Sequence, residues 1–252
     1  MNLTAIILTH NEELMLPDCL KSVSWADEII VIDKKSQDST REIAEKFGAK
    51  VVTFEGEYFD EWRNVGITKA SSPWIFYIDP DERVTPELKA EIEKALDQEE
   101  YKAFRMPRKN FWWGKEFKAC GASPDYVTRL FKKNALKKWQ GIIHESPLVE
   151  GETGTFDNPL LHYTHRDLMS GLRKSMSWTV MEAQLLFEAD HPKISWWRLG
   201  KVSLEAFIRK YIKERGFTEG TEGFIESFVQ AWNRFMVYEQ LWEMQQKIPK
   251  KR

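Results

Sequence analysis

The chain has 252 residues, with 37 Lys and Arg against 39 Asp and Glu and a formal net charge of -2. That balance gives no global pull toward nucleic acid, and a hydrophobic fraction of 42% is that of a globular protein. Its two cysteines, Cys19 and Cys120, have neither metal nor redox spacing and read as free thiols in a reducing compartment.

The N-terminus lacks the basic region, apolar run and cleavage site of a secretory signal, and no apolar stretch has bilayer-crossing length. The expectation is a cytoplasmic protein, peripheral at the inner membrane if it meets a membrane at all. Residues 1–100 alternate short apolar runs with amphipathic ones. Strands are predicted at Leu3 to Leu8, Glu28 to Ile32, Lys50 to Phe54 and Pro73 to Ile78. Helices are predicted up to Ser22, from Ser36–Asp38 to Phe47, over Phe59 to Ala70, and after the Thr85-Pro86 start signal. Strands apolar on both faces and separated by helices predict an α/β fold. Its central sheet is Rossmann-type and mostly parallel, with helices on both faces and right-handed crossovers. Such sheets bind ligands beyond the carboxyl ends of their strands. Thr9 to Glu12, Asp33 to Asp38 and Asp79 to Glu82 all fall there.

The run Phe76-Tyr77-Ile78-Asp79-Pro80-Asp81-Glu82 carries the most chemistry. Two carboxylates one residue apart at a strand end can share a hard divalent cation, which neutralises nucleotide phosphates. There is no GxGxxG or Walker A glycine pattern, so a dinucleotide enzyme and a P-loop NTPase are disfavoured. Asp33 is suited to accept from a base or ribose; the plain alternative is a turn carboxylate. Asn11 and Glu12 either contact the nucleotide or cap the first helix. Arg63 is placed to pair with the acidic loops or a pyrophosphate, or else is a surface helix charge.

Residues 101–140 interleave Lys and Arg with aromatics such as Phe111, Trp112, Trp113 and Trp139. This suits a single-stranded nucleic acid, an anionic acceptor at a membrane, or an antiparallel extension with a basic face. His144-Glu145 follows in a turn without HExxH spacing; Glu145 is the candidate base for an acceptor hydroxyl, with His144 beside it. Of His162 and His165, His162 is the candidate third metal ligand beside Asp79 and Asp81, which would favour Mn2+ somewhat over Mg2+, or else a pyrophosphate contact. Leu168 to Glu188 and Phe224 to Gln246 read as helices. Between them, Trp196 to Ile212 reads as a basic amphipathic helix with three candidate roles: an anionic membrane contact, a homo-oligomer interface, or packing on the sheet.

Ala5 to Glu12, Ile32-Asp33 with Ser36, Asp38 and Thr40, and Asp79-Pro80-Asp81-Glu82-Arg83 resemble family 2 glycosyltransferases of the GT-A fold. Arg63-Asn64, Trp139-Gln140-Gly141, His144-Glu145 and His162-Tyr163 extend the likeness toward the lipopolysaccharide core β-glucosyltransferases. The resemblance implies a nucleotide site at Thr9, Asn11, Glu12 and Asp33 and a metal motif at Asp79 and Asp81, with Mn2+ or Mg2+ as cofactor. It implies inversion at the anomeric carbon, with Glu145 as base and the stretch from Glu116 to Tyr126 as a lid. A UDP-sugar, UDP-glucose first, is the expected donor. A lipid-linked oligosaccharide of the lipopolysaccharide inner core is the expected acceptor, and nucleic acid is not an expected partner. Polyprenyl phosphate or protein acceptors, and a non-catalytic nucleic-acid or sugar-nucleotide module, are the alternatives. The expected organisation is a GT-A-like domain over 1–167, divided near residue 100 into nucleotide and acceptor halves, followed by a helical extension over 168–252.

Overall fold

The computed structural model describes residues 2–56, 58–141, 145–165 and 167–247. Two compact units make up the chain: Met1–Lys109 with Asp125–Tyr163, and Asn110–Pro124 with Thr164–Arg252.

The first unit is built on β1 (Leu3–Thr9), β2 (Glu28–Asp33), β3 (Lys50–Thr53) and β4 (Trp74–Ile78). They lie in the order β3-β2-β1-β4, parallel throughout. The intervening helices are α1 (Leu16–Ser22), α2 (Thr40–Lys46) and α3 (Phe59–Lys69). Every residue of β1 and of β4 is buried, as a strand covered on both faces requires. Alternation splits them between two cores. Leu3, Ala5, Ile7, Phe76 and Ile78 pack on one face with Leu16, Leu20, Leu88 and Ile92. Ile6, Leu8, Ile75 and Tyr77 pack on the other with Trp62, Phe131 and Trp139. After β5 (Glu82–Val84), helix α4 (Pro86–Ala95) starts where Thr85 Oγ1 accepts from the Leu88 N–H at 3.1 Å.

The sheet is mixed rather than mostly parallel. Beyond β4 it continues through β8 (Tyr126–Lys132), β6 (Ala103–Trp112), β12 (Leu160–His165) and β5. The β4–β8 and β8–β6 pairings are antiparallel. The basic and aromatic stretch thus supplies sheet strands. A short strand, β11 (Thr153–Thr155), adds to β6, and β9 (Leu136–Gln140) pairs antiparallel with β10 (Ser146–Val149) as a separate hairpin. Asn64 on α3 holds this hairpin: its amide donates to the Trp139 carbonyl at 2.9 Å and accepts from the Trp139 N–H at 2.8 Å.

The second unit is helical, with α5 (Leu168–Glu188), α6 (Trp196–Ile208) and α7 (Thr221–Lys247). Ala183, Ile194, Val237 and Leu241 form its core. A π-helical turn at Arg209–Lys213 extends α6, closed by the Glu214 N–H on the Arg209 carbonyl at 2.8 Å. Strand β7 (Lys115–Phe117) pairs antiparallel with the end of β6, and the residues after it are tied down. Glu219 Oε1 accepts from the Lys118 and Ala119 N–H groups at 2.8 and 2.9 Å, and Lys210 Nζ donates to the Cys120 carbonyl at 2.8 Å. The stretch expected to act as a lid is therefore clasped at Lys118 to Cys120 by Glu219 and Lys210.

Near this clasp Glu226 is buried, and burial pushes its carboxyl up to about 7. An acid whose folded pKa is raised stabilises fully below its unfolded value, near 4.5, and loses that contribution as pH rises through about 7. The shift corresponds to roughly 3 kcal/mol. Glu226→Gln should therefore unfold at a higher temperature than wild type at pH 8 and show little advantage at pH 4.5, as read by calorimetry.

Candidate active site

The carboxyl ends of β1, β2 and β4 carry the three acidic loops. At β1 and β2, Asp33 is fully buried and organises the turn. One carboxylate oxygen accepts from Thr9 Oγ1 at 3.2 Å and from the Ser36 hydroxyl; the other accepts from the Ser36 N–H at 2.9 Å. Ser36 Oγ in turn accepts from the Asn11 N–H at 2.8 Å, and Asn11 Oδ1 accepts from the Gln37 N–H at 2.8 Å. The Glu12 N–H donates to Thr40 Oγ1 at 2.8 Å. Asn11 has a φ of 56°, a left-handed conformation that asparagine tolerates better than most residues. Thr9, Asn11, Glu12 and Asp33 thus belong to one cross-braced loop pair, with Asp33 facing inward and Asn11 exposed.

At β4 the electrostatics are concentrated. Asp79 is bound by Arg129 and lies 3.5 Å from Arg63 Nη2. Arg129 also donates to Glu82 Oε1 at 2.6 Å, and Arg108 reaches the same oxygen at 3.2 Å while pairing with Asp125 at 2.8 Å. The loop closes on itself: Glu82 Oε2 accepts from the Asp79 N–H at 3.0 Å, and the Asp79 carbonyl from the Glu82 N–H at 2.9 Å. Burial alone would raise the Asp79 pKa, but Arg129, followed by Arg63, holds its carboxyl well below the usual carboxylate range. Burial likewise opposes the charge on Arg129, and Asp79 and Glu82 more than offset it.

Arg63 is the hub between the two ends of the site. It is buried, its guanidinium carbon lies 4.7 Å from the Trp139 ring centre, and its Nε donates to Glu145 Oε1 at 2.9 Å. Its backbone carbonyl accepts from the Tyr77 hydroxyl at 2.7 Å. Arg63 Nη1 is buried without a hydrogen-bond partner among the described residues. A surface helix charge is thereby excluded for Arg63. Glu145, 82 positions away in sequence, is brought beside the Asp79 loop, while His144 lies outside the described residues.

The expected metal trio does not form. Among the described residues no group of three or more His, Cys, Asp or Glu side chains is placed to hold a metal ion. The physical reason is that Arg129 and Arg63 draw the Asp79 carboxylate to themselves. Asp81 and His162 do meet, with Asp81 Oδ2 and His162 Nε2 3.6 Å apart, and the Tyr163 N–H donates to the Asp81 carbonyl at 2.8 Å. A carboxylate and an imidazole suit Mn2+ or Mg2+ as a partial set, leaving the rest of the shell to ligand oxygens and water.

Sequence reasoning missed Arg129, Arg108 and the buried Glu82. The available signal was the excess of Lys and Arg over acids in residues 101–140 together with a third acid directly after Asp79-Pro80-Asp81. Arg129→Met would leave Asp79 and Glu82 without their main countercharge, a loss of about 3–5 kcal/mol. The depressed Asp79 pKa contributes stability present above its unfolded value, near 3.8, and lost as pH falls below it. Urea unfolding should show wild type weakening on acidification below about pH 4, and Arg129→Met already weakened at pH 7 with a shallower acid limb.

Comparisons with known proteins identify the family and the fold. The sequence model described as Glycosyl transferase family 2 matches residues 4–145. An uncharacterized glycosyltransferase of Rickettsia conorii is 26% identical over 247 residues, spanning 93% of this chain and 87% of the relative. LpsC of Rhizobium meliloti, described as a lipopolysaccharide core biosynthesis glycosyltransferase, is 23% identical over 257 residues, spanning 96% and 92%. Among solved structures, S. aureus TarS 1-349 in complex with UDP-GlcNAc superposes with a TM-score of 0.50 at 14% identity, covering 100% of this chain and 93% of that one. With more than half its length matched, the chain belongs to glycosyl transferase family 2, and its curled mixed sheet is the GT-A fold.

Proposed function

We propose that this glycosyltransferase is inverting and metal-dependent, and moves a hexose from a nucleoside-diphosphate sugar to a hydroxyl of a lipid-linked oligosaccharide. UDP-glucose is the first donor and a lipopolysaccharide inner-core sugar the first acceptor. The observation that carries the reading is the Glu145–Arg63–Asp79 chain, which holds a carboxylate next to the strand-end loops. The kinship with LpsC, whose description names lipopolysaccharide core biosynthesis, supports the acceptor class.

In this reading the loop pair carrying Thr9, Asn11, Glu12 and Asp33 receives the nucleoside, with Asp33 holding the loop in shape. Asp81 and His162 are the residues that would hold Mn2+ or Mg2+, and such an ion would supply countercharge to the diphosphate. Arg63, whose buried Nη1 has no hydrogen-bond partner among the described residues, offers that group to the diphosphate while its Nε orients Glu145. Glu145 takes the proton of the acceptor hydroxyl as that oxygen bonds to the anomeric carbon and the bond from that carbon to the diphosphate oxygen breaks. An acceptor phosphate, already ionised, would need no such base.

Titration calorimetry with a UDP-sugar panel, with and without Mn2+ or Mg2+, tests the donor site. Binding is expected to be selective, metal-dependent and lost in Asp81→Ala; absence of binding for every UDP-sugar would break the UDP assignment. In transfer assays Glu145→Gln should bind donor normally and lose about 10²-fold or more in rate. Unchanged transfer in Glu145→Gln would favour a polyprenyl phosphate acceptor.

A further inference from the structure

The helical unit carries a surface that the transfer chemistry does not use. On α6, Trp197, Leu204 and Ile208 recur at helical spacing and are exposed, as is Trp196 at 85%. Four residues on from Phe207, Tyr211 in the π-helical turn lies beside it, ring centres 5.3 Å apart. Phe224 of α7 touches both rings at 5.8 Å, so the apolar surfaces of α6 and α7 are continuous. Phe224, Phe228 and Trp232 then carry the strip along α7 at four-residue intervals, all exposed. No helix among the described residues is long and apolar enough to cross a bilayer. The strip is therefore a face to lie on something, not a span.

The charge beside it selects the occupant. Between Trp196 and Arg215 there are six basic residues, Arg198, Lys201, Arg209, Lys210, Lys213 and Arg215, against Glu205 and Glu214. The rest of the chain is acidic, since the whole carries -2. A second copy meeting this face about a two-fold axis would set the same positive charge against itself. An anionic lipid surface instead complements it, with the basic side chains among the headgroups and tryptophan at the interfacial depth it favours.

We infer that the α6–α7 face is a membrane-docking surface that binds anionic phospholipid peripherally, through exposed aromatic and aliphatic side chains framed by Lys201, Arg209 and Lys213. This is independent of the donor and acceptor assignments, because it uses none of the residues at the strand ends.

Co-sedimentation of the full chain with vesicles tests it, using an equimolar mixture of phosphatidylglycerol and phosphatidylcholine against phosphatidylcholine alone. Wild type should partition onto the mixed vesicles, less so at high salt, and weakly onto the neutral ones. The triple variant Trp197→Ser, Leu204→Ser, Ile208→Ser should lose about tenfold or more in partitioning. Lys201→Gln, Arg209→Gln and Lys213→Gln, which leave the apolar strip intact, should each lose about fivefold. Circular dichroism and UDP-sugar calorimetry on the same preparations separate loss of docking from loss of fold or of the donor site. Equal binding to both vesicle types, no binding to either, or a folded serine variant that sediments like wild type would overturn the inference. Concentration-dependent self-association abolished by the serine variant, with no vesicle binding, would assign the face to a second copy instead.

Discussion

Two arginines buried among carboxylates fix the chemistry of this protein. Arg129 stands between Asp79 and Glu82, and Arg63 stands between Asp79 and Glu145. Taking those charges out of water is unfavourable unless each finds its opposite at close range. The requirement ties four separate stretches of chain together at one end of the sheet. It also explains why the acid pair after β4 is not symmetrical. Asp79 is held by the two arginines, while Asp81 lies beside His162. A strand-end motif that looks like two equivalent ligands thus divides into one acid held by arginine and one set beside a histidine.

The parallel half of the fold was legible because its physics is local. A strand such as β1, apolar at every position and followed by a polar turn and a helix, fits few environments other than the middle of a covered sheet. Thr85-Pro86 announced a helix start and delivered one, and Leu168–Glu188 emerged over the span its apolar spacing indicated. What stayed hidden depends on pairing across distance. Arg129 lies 50 residues from Asp79, and only the antiparallel register of β8 on β4 brings them together. In sequence it was one basic residue among many. Glu82 carried no role of its own in the sequence, whereas in the fold it is fully buried with Arg129 and Arg108 converging on it. The same limit governs the stretch after β7. The family resemblance implied a lid from Glu116 to Tyr126, but Glu219, about a hundred residues on, accepts two backbone N–H groups there.

The helical unit follows a different logic from the sheet. The sheet buries its apolar residues on two faces, while α6 and α7 leave a row of them in water, beside more positive charge than the chain carries on balance. Apolar surface left exposed along two helices is unfavourable for a protein that meets only water. Its continuity through Phe207, Tyr211 and Phe224 sets it apart from scattered single exposures.

Tyr77 adds a quieter consequence. Its hydroxyl holds the backbone of Arg63, and two residues further along the strand Asp79 faces the guanidinium of the same arginine. Tyr77, Ile78, Asp79 and Arg63 therefore close a ring, part covalent and part hydrogen-bonded. A cation mounted in such a ring is a fixed post rather than a swinging arm. A diphosphate leaving beside it, as in the proposed reaction, would meet a charge already in place, with little reorganisation.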